Sequence, residues 1–340
     1  NVVLFVNGIP VVVILCEDAD SCDPIEKLYG SNPELIDKLE NSELNRGVAG
    51  LFKYNQFIVS ANNENAVAGT MCTDPNNYQE WKEIDPRLIK ALGWESVRDE
   101  LNNRELLIAG MLHPYNLIDI MKNFILFTMG NRITGKIIST SGQFQVVNNS
   151  IEWLMKMRGM RRLDASEQNR AKICLSRDTE NNSTIAFLVQ KIRSEKKLSD
   201  YRIVVAGRGS DLKIYLKEQV VIMDSDIRYA MTLEEMHRHL KDPNSNIIIS
   251  NVKTEQNDVQ DEFSKRDIQA RLSTISFFSA VNGSEKIVVI VDEMRIENTE
   301  EQVEGIINSL PRSSVISFVE KSADIGIAGR GELIYSRMNG

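Results

Sequence analysis

The stretch ICLSRDTENNSTIAFL, residues 173–188, decides the fold class of the second half of the chain. It reads as a short apolar strand, a polar loop and then an apolar helix that opens at Ser183-Thr184. The same rhythm continues to the end of the chain, and strands that alternate with helices predict a parallel, doubly wound sheet. Further strands are predicted at 202–206, 220–223, 247–250, 286–291 and 315–319, and helices at 184–195, 210–218, 233–240 and 300–310.

Two β-branched runs, Val2–Val6 and Val11–Cys16, open the chain and predict buried strands. The dipeptide Asn7-Gly8 between them favours a tight hairpin, because both residues tolerate positive φ. Phe57–Ala61 and Ala66–Met71 predict a second strand pair. Helices are predicted at 33–44, at 104–127 with a break at 113–114, and at 142–157.

The bulk composition limits the function classes. With 340 residues, of which 42% are hydrophobic, the chain is long enough for two domains with real cores. A net charge of −8 argues against binding nucleic acid by overall charge, but it does not exclude a local basic face. The four cysteines are scattered without a C-x-x-C pair, which argues against zinc and is typical of reduced thiols in an intracellular, cytoplasmic protein. No apolar run predicts a membrane span. Since Asn1 lies within a strand pattern, residues before it are expected.

Several stretches together resemble the motor (R) subunit of type I restriction enzymes. LFVNGIPVVVI (4–14) is similar to that family's nuclease hairpin, and IVVIVDEM (287–294) is similar to part of its first motor domain. ELLIAGMLHPYNLIDIMKNFILF (105–127) and KIISTSGQFQVVNNSIEWL (136–154) are similar to its link into the motor. The resemblance follows the family's order over nearly the whole chain and stops where the first motor lobe would end.

The resemblance implies an α/β fold, with a PD-(D/E)xK nuclease-like α/β domain followed by a RecA-like doubly wound parallel-sheet domain. On that basis we predict a nuclease-like domain at 1–135, a helical connector at 136–170 and a RecA-like helicase lobe at 171–340. The family cuts DNA with the first domain and moves DNA with a superfamily 2 ATPase. Each chemistry requires particular residues.

The nuclease positions of the family are substituted in this chain. The family's site uses an Asp at the head of the first strand and Glu-x-Lys on the second, where the carboxylates hold Mg²⁺ and the Lys orients or activates water. These positions are Asn1, Leu15 and Glu17 here, and the Gln and Tyr of a supporting helix become Lys38 and Ser42. A neutral amide, an aliphatic chain and an inverted charge cannot build that site. The acids around Glu17 form either a loose cation site or a solvated acidic loop.

The phosphate loop of the family's ATPase is also altered. That loop is rich in glycine and ends in Gly-Lys-Ser/Thr between a strand and a helix. Here glycine is absent, Asn182 stands at the lysine position, and Glu180 lies where phosphates would bind, so electrostatics oppose a nucleotide. Ser183 is predicted to be an ordinary N-cap, with Asn181 and Asn182 as loop residues.

Two relics of the ATPase site remain. Asp292 and Glu293 keep the acidic pair of the Walker B strand, in which the family's Asp holds magnesium and its Glu activates water. Gln143 matches a position near which the family recognises adenine. Without a phosphate loop the acidic pair has no nucleotide to act on, and Gln143 is explained equally well as a packed side chain.

Basic residues are concentrated in KMRGMRR (156–162) and KIRSEKK (191–197). Lys156, Arg158, Arg161 and Arg162 are candidates for contact with nucleic-acid phosphates, as in the family's motor. The alternative is a solvated helix end or a linker. Because aromatic residues are not interleaved with these basic residues, stacking on single strands is not predicted.

The apolar pattern of the predicted strands and helices is intact, whereas the nuclease and phosphate-loop positions of the family are substituted. We therefore interpret the chain as a catalytically inactive pseudoenzyme that resembles a restriction subunit and acts in assembly or interaction. We expect protein partners, including a second copy of the chain. We expect no cofactor. Two alternatives stay open: a restriction-type nuclease or ATP-dependent translocase fragment with residual activity that uses Mg²⁺ or ATP, and a passive DNA-binding module.

Overall fold

The structure, a computed structural model, has an α/β fold, as the sequence predicts. Two compact units divide the chain, Asn1–Gln145 and Val146–Gly340. The predicted division at 135 and 170 stays a prediction, and its first boundary falls inside a strand. The structure describes residues 2–16, 54–82, 84–96, 100–129, 134–158, 169–175, 181–207, 215–216, 220–221, 227–250, 284–292, 300–320 and 332–335.

The first unit contains a four-stranded sheet with the order β1-β2-β3-β4. β1 (Val2–Val6) and β2 (Ile9–Cys16) form the predicted antiparallel hairpin. Its turn residues Asn7 and Gly8 have φ values of 50° and 79°, the positive angles that a tight hairpin turn of this composition uses. β2 pairs in parallel with β3 (Phe57–Ala61), and β3 pairs antiparallel with β4 (Ala66–Gly69).

Three helices and a second hairpin follow in the first unit. They are α1 (Pro86–Leu92), α2 (Asn103–Met111), α3 (Pro114–Asn123), β5 (Ile125–Met129) and β6 (Thr134–Ile138). The predicted break at His113-Pro114 is present, because Pro114 opens α3. The predicted helical end at 127 is wrong. The helix ends at Asn123, and the apolar run after it pairs as β5 with β6, since β-branched and aromatic residues favour strands.

The helix α4 (Ser141–Arg158) agrees with the amphipathic pattern of 142–157. After it, the described elements include the predicted strands and helices in the predicted order, except that the predicted helix at 210–218 lies almost wholly outside the described residues. The helices are α5 (Asn181–Ser194), α6 (Leu233–Lys241) and α7 (Glu300–Ser309). The strands are β7 (Arg170–Leu175), β8 (Arg202–Ala206), β9 (Val220–Val221), β10 (Ile227–Ala230), β11 (Ile247–Ser250), β12 (Ile287–Asp292), β13 (Ser314–Glu320) and β14 (Glu332–Tyr335).

A seven-stranded sheet with the order β10-β11-β8-β12-β13-β7-β14 forms the centre of the second unit. Every neighbouring pair is parallel, which confirms the predicted parallel sheet. All six residues of β12 are buried, as expected for a strand covered on both faces. Four described elements, α1, β6, β10 and β14, are not predicted by the sequence pattern. None of the described helices is both long and apolar enough to cross a membrane.

Candidate functional site

Leu15 is the one nuclease position of the sequence analysis that the described residues include. Its side chain, on β2, is only 7% exposed. It belongs to an apolar cluster with Val13, Ile58, Val67 and Tyr78. Such a site stabilises an aliphatic side chain and would penalise a carboxylate, because a charge buried without a partner is costly. The other nuclease positions, Asn1, Glu17, Lys38 and Ser42, lie outside the described residues.

Tyr78 closes the cluster around Leu15. Its hydroxyl donates a hydrogen bond to the carbonyl oxygen of Thr70 at 2.9 Å. Burial raises the pKa of Tyr78 well above its usual range, so the phenol stays neutral. Its ring packs so closely on Gly69 that a Cβ atom there would lie 2.7 Å from two ring carbons. Leu15 therefore faces a well-packed, apolar environment.

The predicted phosphate loop lies between β7 and α5. Asn181, Ser183 and Thr184 are buried and Asn182 is half-buried, whereas Glu180 lies outside the described residues. The prediction that Ser183 is the N-cap is wrong, because α5 begins at Asn181 and Ser183 is its third residue. Short polar side chains suit this first turn, whose backbone N–H groups lack partners within the helix.

Asp292 is the last residue of β12 and is 2% exposed, while Glu293 lies outside the described residues. In the sheet, β13 separates β12 from β7. Since neighbouring strands are about 4.8 Å apart, the carboxyl ends of β12 and β7 are about 10 Å apart at the same edge of the sheet. The fold therefore brings Asp292 and the start of α5 to one edge of the sheet.

The part of the predicted phosphate loop that the structure describes, residues 181–184, carries no positive charge for a phosphate. Asp292 and the Ser183 and Thr184 hydroxyls are oxygen groups of the kind that Mg²⁺ accepts. However, the positions that would hold the phosphates, Asn181 and Asn182, are neutral carboxamides and supply no positive charge. Among the described residues, no three His, Cys, Asp or Glu side chains are grouped as metal ligands.

Gln143 has a defined structural role at the start of α4. Its Oε1 accepts a hydrogen bond from the Thr140 backbone N–H at 3.0 Å, and its own N–H donates to Thr140 Oγ1 at 3.1 Å. This reciprocal pair is a capping box, whose signature is Thr or Ser followed three residues later by Gln or Glu. The sequence contains that signature in Thr140-Ser141-Gly142-Gln143, so it was available as a signal.

The two basic segments differ in how their side chains are placed. Lys156 and Arg158 are exposed at the end of α4, while Arg161 and Arg162 lie outside the described residues. Lys191, the first residue of the second basic segment, is buried and donates a hydrogen bond to Asn148 Oδ1. A long side chain on the inner face of an apolar helix must place its charge on a polar partner, which here is on α4.

Sequence reasoning missed Lys136 on β6. Its Nζ donates to the carbonyl oxygen of Asn55 at 2.6 Å and lies 5.6 Å from the centre of the Phe127 ring. Burial lowers the pKa of this lysine. The only signal in the sequence was a lysine directly before the apolar pair Ile137-Ile138. Its contacts tie β6 to the start of β3.

Comparisons with known proteins show one distant likeness. No protein-family profile matches the chain. The "Type I restriction enzyme HindI endonuclease subunit" of Haemophilus influenzae is 25% identical over 223 residues, which cover 62% of this chain. The chain is similar to a type I restriction enzyme endonuclease subunit. The matched part spans 19% of the length of that subunit.

Proposed function

We propose that this chain is a catalytically inactive, restriction-subunit-like protein that acts through assembly or interaction. The observation that carries the proposal is the burial of Leu15 on β2, at the position where the resembling family has a metal-binding Glu. An aliphatic side chain there adds roughly 1.5–3 kcal/mol of apolar burial and removes a carboxylate ligand. The strand then serves the fold instead of holding Mg²⁺.

The second unit supports the same proposal. Its parallel sheet, with Asp292 and the start of α5 at one edge, is what a RecA-like lobe would provide. The groups that bind triphosphate in such a lobe are a glycine-rich backbone and a lysine. Asn181 and Asn182 replace the Gly-Lys pair, and both are already part of α5. We infer that this lobe keeps its architecture without ATP turnover.

The first unit carries apolar side chains that suit an interaction role. Phe5 is 57% exposed on β1, which is an edge strand of its sheet. Tyr115 is 82% exposed on α3, and Ile118 is exposed one turn further along the same helix. Tyr115 and Ile118 are three residues apart and so share a face of α3, and neighbouring exposed apolar groups are typical of protein contact sites. They support interaction through the first unit.

Light scattering of the purified chain tests this proposal. We expect a defined mass above that of one chain, which rises with protein concentration and does not depend on ATP. Ile118→Asp is expected to reduce that mass, because it places a charge in the apolar contact, whereas the matched exposed variant Arg238→Asp on α6 is not. Two results together would contradict the proposal: the mass of a single chain at every protein concentration, and no binding of the chain to any added protein.

A further inference from the structure

The two edges of the first unit's four-stranded sheet differ in how they are covered. The order β1-β2-β3-β4 makes β1 and β4 the edge strands. The β4 edge is covered, because Ala68 and Gln79 exchange two backbone hydrogen bonds, of 2.8 and 3.0 Å. Among the described residues, β1 has no backbone partner on the side away from β2. Within this part of the chain, β1 is therefore the edge at which a further strand can pair.

Pro10 determines which backbone groups of β1 point outward. Antiparallel strands alternate between residue pairs that exchange both backbone hydrogen bonds and pairs that do not. Phe5 lies opposite Pro10, which has no N–H, so these two residues cannot exchange both bonds. The N–H and C=O of Phe5 therefore point away from β2, and alternation along β1 directs those of Val3 the same way. The outer edge of β1 thus offers two donors and two acceptors.

The same edge carries no charge. The segment 2–16 contains no Asp, Glu, Lys or Arg, although 26% of the residues in the whole chain are charged. Natural edge strands commonly carry a charge or a proline that prevents pairing with another chain, and β1 has neither. In a chain of net charge −8, two uncharged strands can approach each other without local repulsion between like charges. A partner that binds through ion pairs would find no counterpart on β1.

The side chains of β1 are apolar on both faces of the sheet. Val2 and Phe5 are 47% and 57% exposed, and covering them would be favourable. Val3 lies on the same face as Phe5 and packs against the apolar cluster that contains Leu15. A strand added beside β1 would cover Phe5 and extend that cluster.

We propose that two copies of the chain pair through β1 as antiparallel strands; this deepens the proposed function and rests on it. Full overlap of the two Val2–Val6 strands places Leu4 opposite Leu4 of the second copy, on a two-fold axis. Val3 then lies opposite Phe5 of the second copy, and the two exchange both of their outward hydrogen bonds. By symmetry the pairing contains four such bonds. An aromatic residue opposite a β-branched one is also a favourable cross-strand pair.

A second copy fits this edge because the edge is complementary to itself. The outward donors and acceptors of Val3 and Phe5 match each other when one copy is rotated by 180°. Each copy offers one such edge in this sheet, since Gln79 covers β4, so the pairing closes at two copies and does not grow into a filament. Strands of five residues cover less than the roughly 800 Å² per partner of a standard interface, so we expect a weak, concentration-dependent dimer.

Disulfide formation at the two-fold axis tests the register. The Cα atoms of the facing Leu4 residues would be about 4.5 Å apart, which a disulfide can span. With oxidised glutathione, Leu4→Cys in the full chain is expected to give a covalent dimer above the background of the wild-type cysteines. Val6→Cys, on the same face of β1, is the matched control. Its Cα atoms would be about 14 Å apart, so no added dimer is expected.

Two substitutions of Phe5 separate backbone pairing from the loss of apolar surface. Phe5→Thr removes the ring and keeps the N–H, whereas Phe5→Pro also removes the outward N–H. Sedimentation equilibrium is expected to give a dimer dissociation constant about tenfold higher for Phe5→Pro than for Phe5→Thr, because two intermolecular hydrogen bonds are lost. Thermal unfolding checks that both variants fold, as expected for proline on an edge strand whose N–H points outward.

Two results would overturn the pairing: equal cross-linking of Leu4→Cys and Val6→Cys, or equal dissociation constants for the two Phe5 variants. The cross-link at Leu4 decides the outcome if Phe5→Pro does not fold or if neither Phe5 variant forms a measurable dimer. If the pairing fails while the mass still rises with concentration and Ile118→Asp reduces it, the proposed function holds through α3. A wild-type chain that stays single and forms no cross-link at Leu4 also overturns the pairing, and the proposed function then requires a different protein partner.

Discussion

Gln143 Oε1 accepts the hydrogen bond that the backbone N–H of Thr140 donates at 3.0 Å, and Thr140 Oγ1 accepts the one that Gln143 N–H donates at 3.1 Å. Each residue thus satisfies a backbone donor that the first turn of α4 leaves without a partner. The resemblance relates Gln143 to adenine recognition. In the structure, its role in capping the start of α4 explains this residue.

Gln143→Ala is therefore expected to lower the free energy of unfolding by about 1 kcal/mol. Thr140→Ala is expected to cost a similar amount, and the double variant less than the sum, because both residues belong to one capping box. Chemical denaturation measures all three, with Gln145→Ala on the same helix as the control. Strictly additive losses would contradict the reciprocal cap.

Leu15→Ala removes a buried aliphatic side chain from the cluster under Tyr78. We expect a loss of about 2–5 kcal/mol in the free energy of unfolding, because the cavity cannot fully collapse. Cys16→Ala, at the exposed next residue of β2, is expected to change it by less than about 0.5 kcal/mol. Equal losses in the two variants, measured by urea denaturation, would show that Leu15 is not part of a packed core.

Gly69→Ala and Gly305→Ala are expected to act in opposite directions. A Cβ at Gly69 would lie 2.7 Å from the Tyr78 ring, whereas one at Gly305 would meet nothing within 4 Å. Gly69→Ala should destabilise by about 1–3 kcal/mol through overpacking. Gly305→Ala should stabilise α7 by about 0.5–1 kcal/mol, since Ala favours the helix. Thermal unfolding compares them, and destabilisation by both would contradict the open space around Gly305.

His237 on α6 is expected to make stability depend on pH. Among the described residues, its buried Nε2 has no hydrogen-bond partner, and burial, followed by the charge of Lys241, lowers the pKa of the imidazole. The unfolded state, with a pKa of about 6.5, then binds the proton more readily than the folded state. The free energy of unfolding should therefore fall as the pH drops below about 6.5 and be unaffected by His237 well above it.

His237→Gln is expected to flatten that part of the stability–pH curve, measured by denaturant titration at a series of pH values. His239→Gln, two residues along the same helix, is the matched control and should retain the fall. A curve for His237→Gln that matches the wild type would show that another group causes the acid sensitivity.

Local signals predicted much of the fold. The Asn7-Gly8 turn required positive φ at both residues, and the apolar runs on either side had strand length, so the first hairpin followed directly. Alternating strands and helices predicted a parallel sheet. The order of the seven strands could not be read in the same way, because it depends on contacts between residues far apart in sequence. The run at 125–127 was ambiguous, since an apolar segment of that length fits a helix end or a strand.

The candidate sites were harder to predict than the fold. The Thr140-x-x-Gln143 pattern predicts the capping role of Gln143. The resemblance instead related Gln143 to adenine recognition. The burial of Lys191 depends on Asn148 on another helix, and no local pattern gives that partner.

The most direct test of the proposed loss of chemistry is a paired assay on the purified chain, for Mg²⁺-dependent cleavage of plasmid DNA and for ATP hydrolysis. Wild type, Glu17→Gln and Asp292→Asn are compared under identical conditions. We expect neither activity above the protein-free blank in any of the three. Cleavage that Glu17→Gln abolishes, or ATP hydrolysis that Asp292→Asn abolishes, would contradict the proposal that the chain is catalytically inactive.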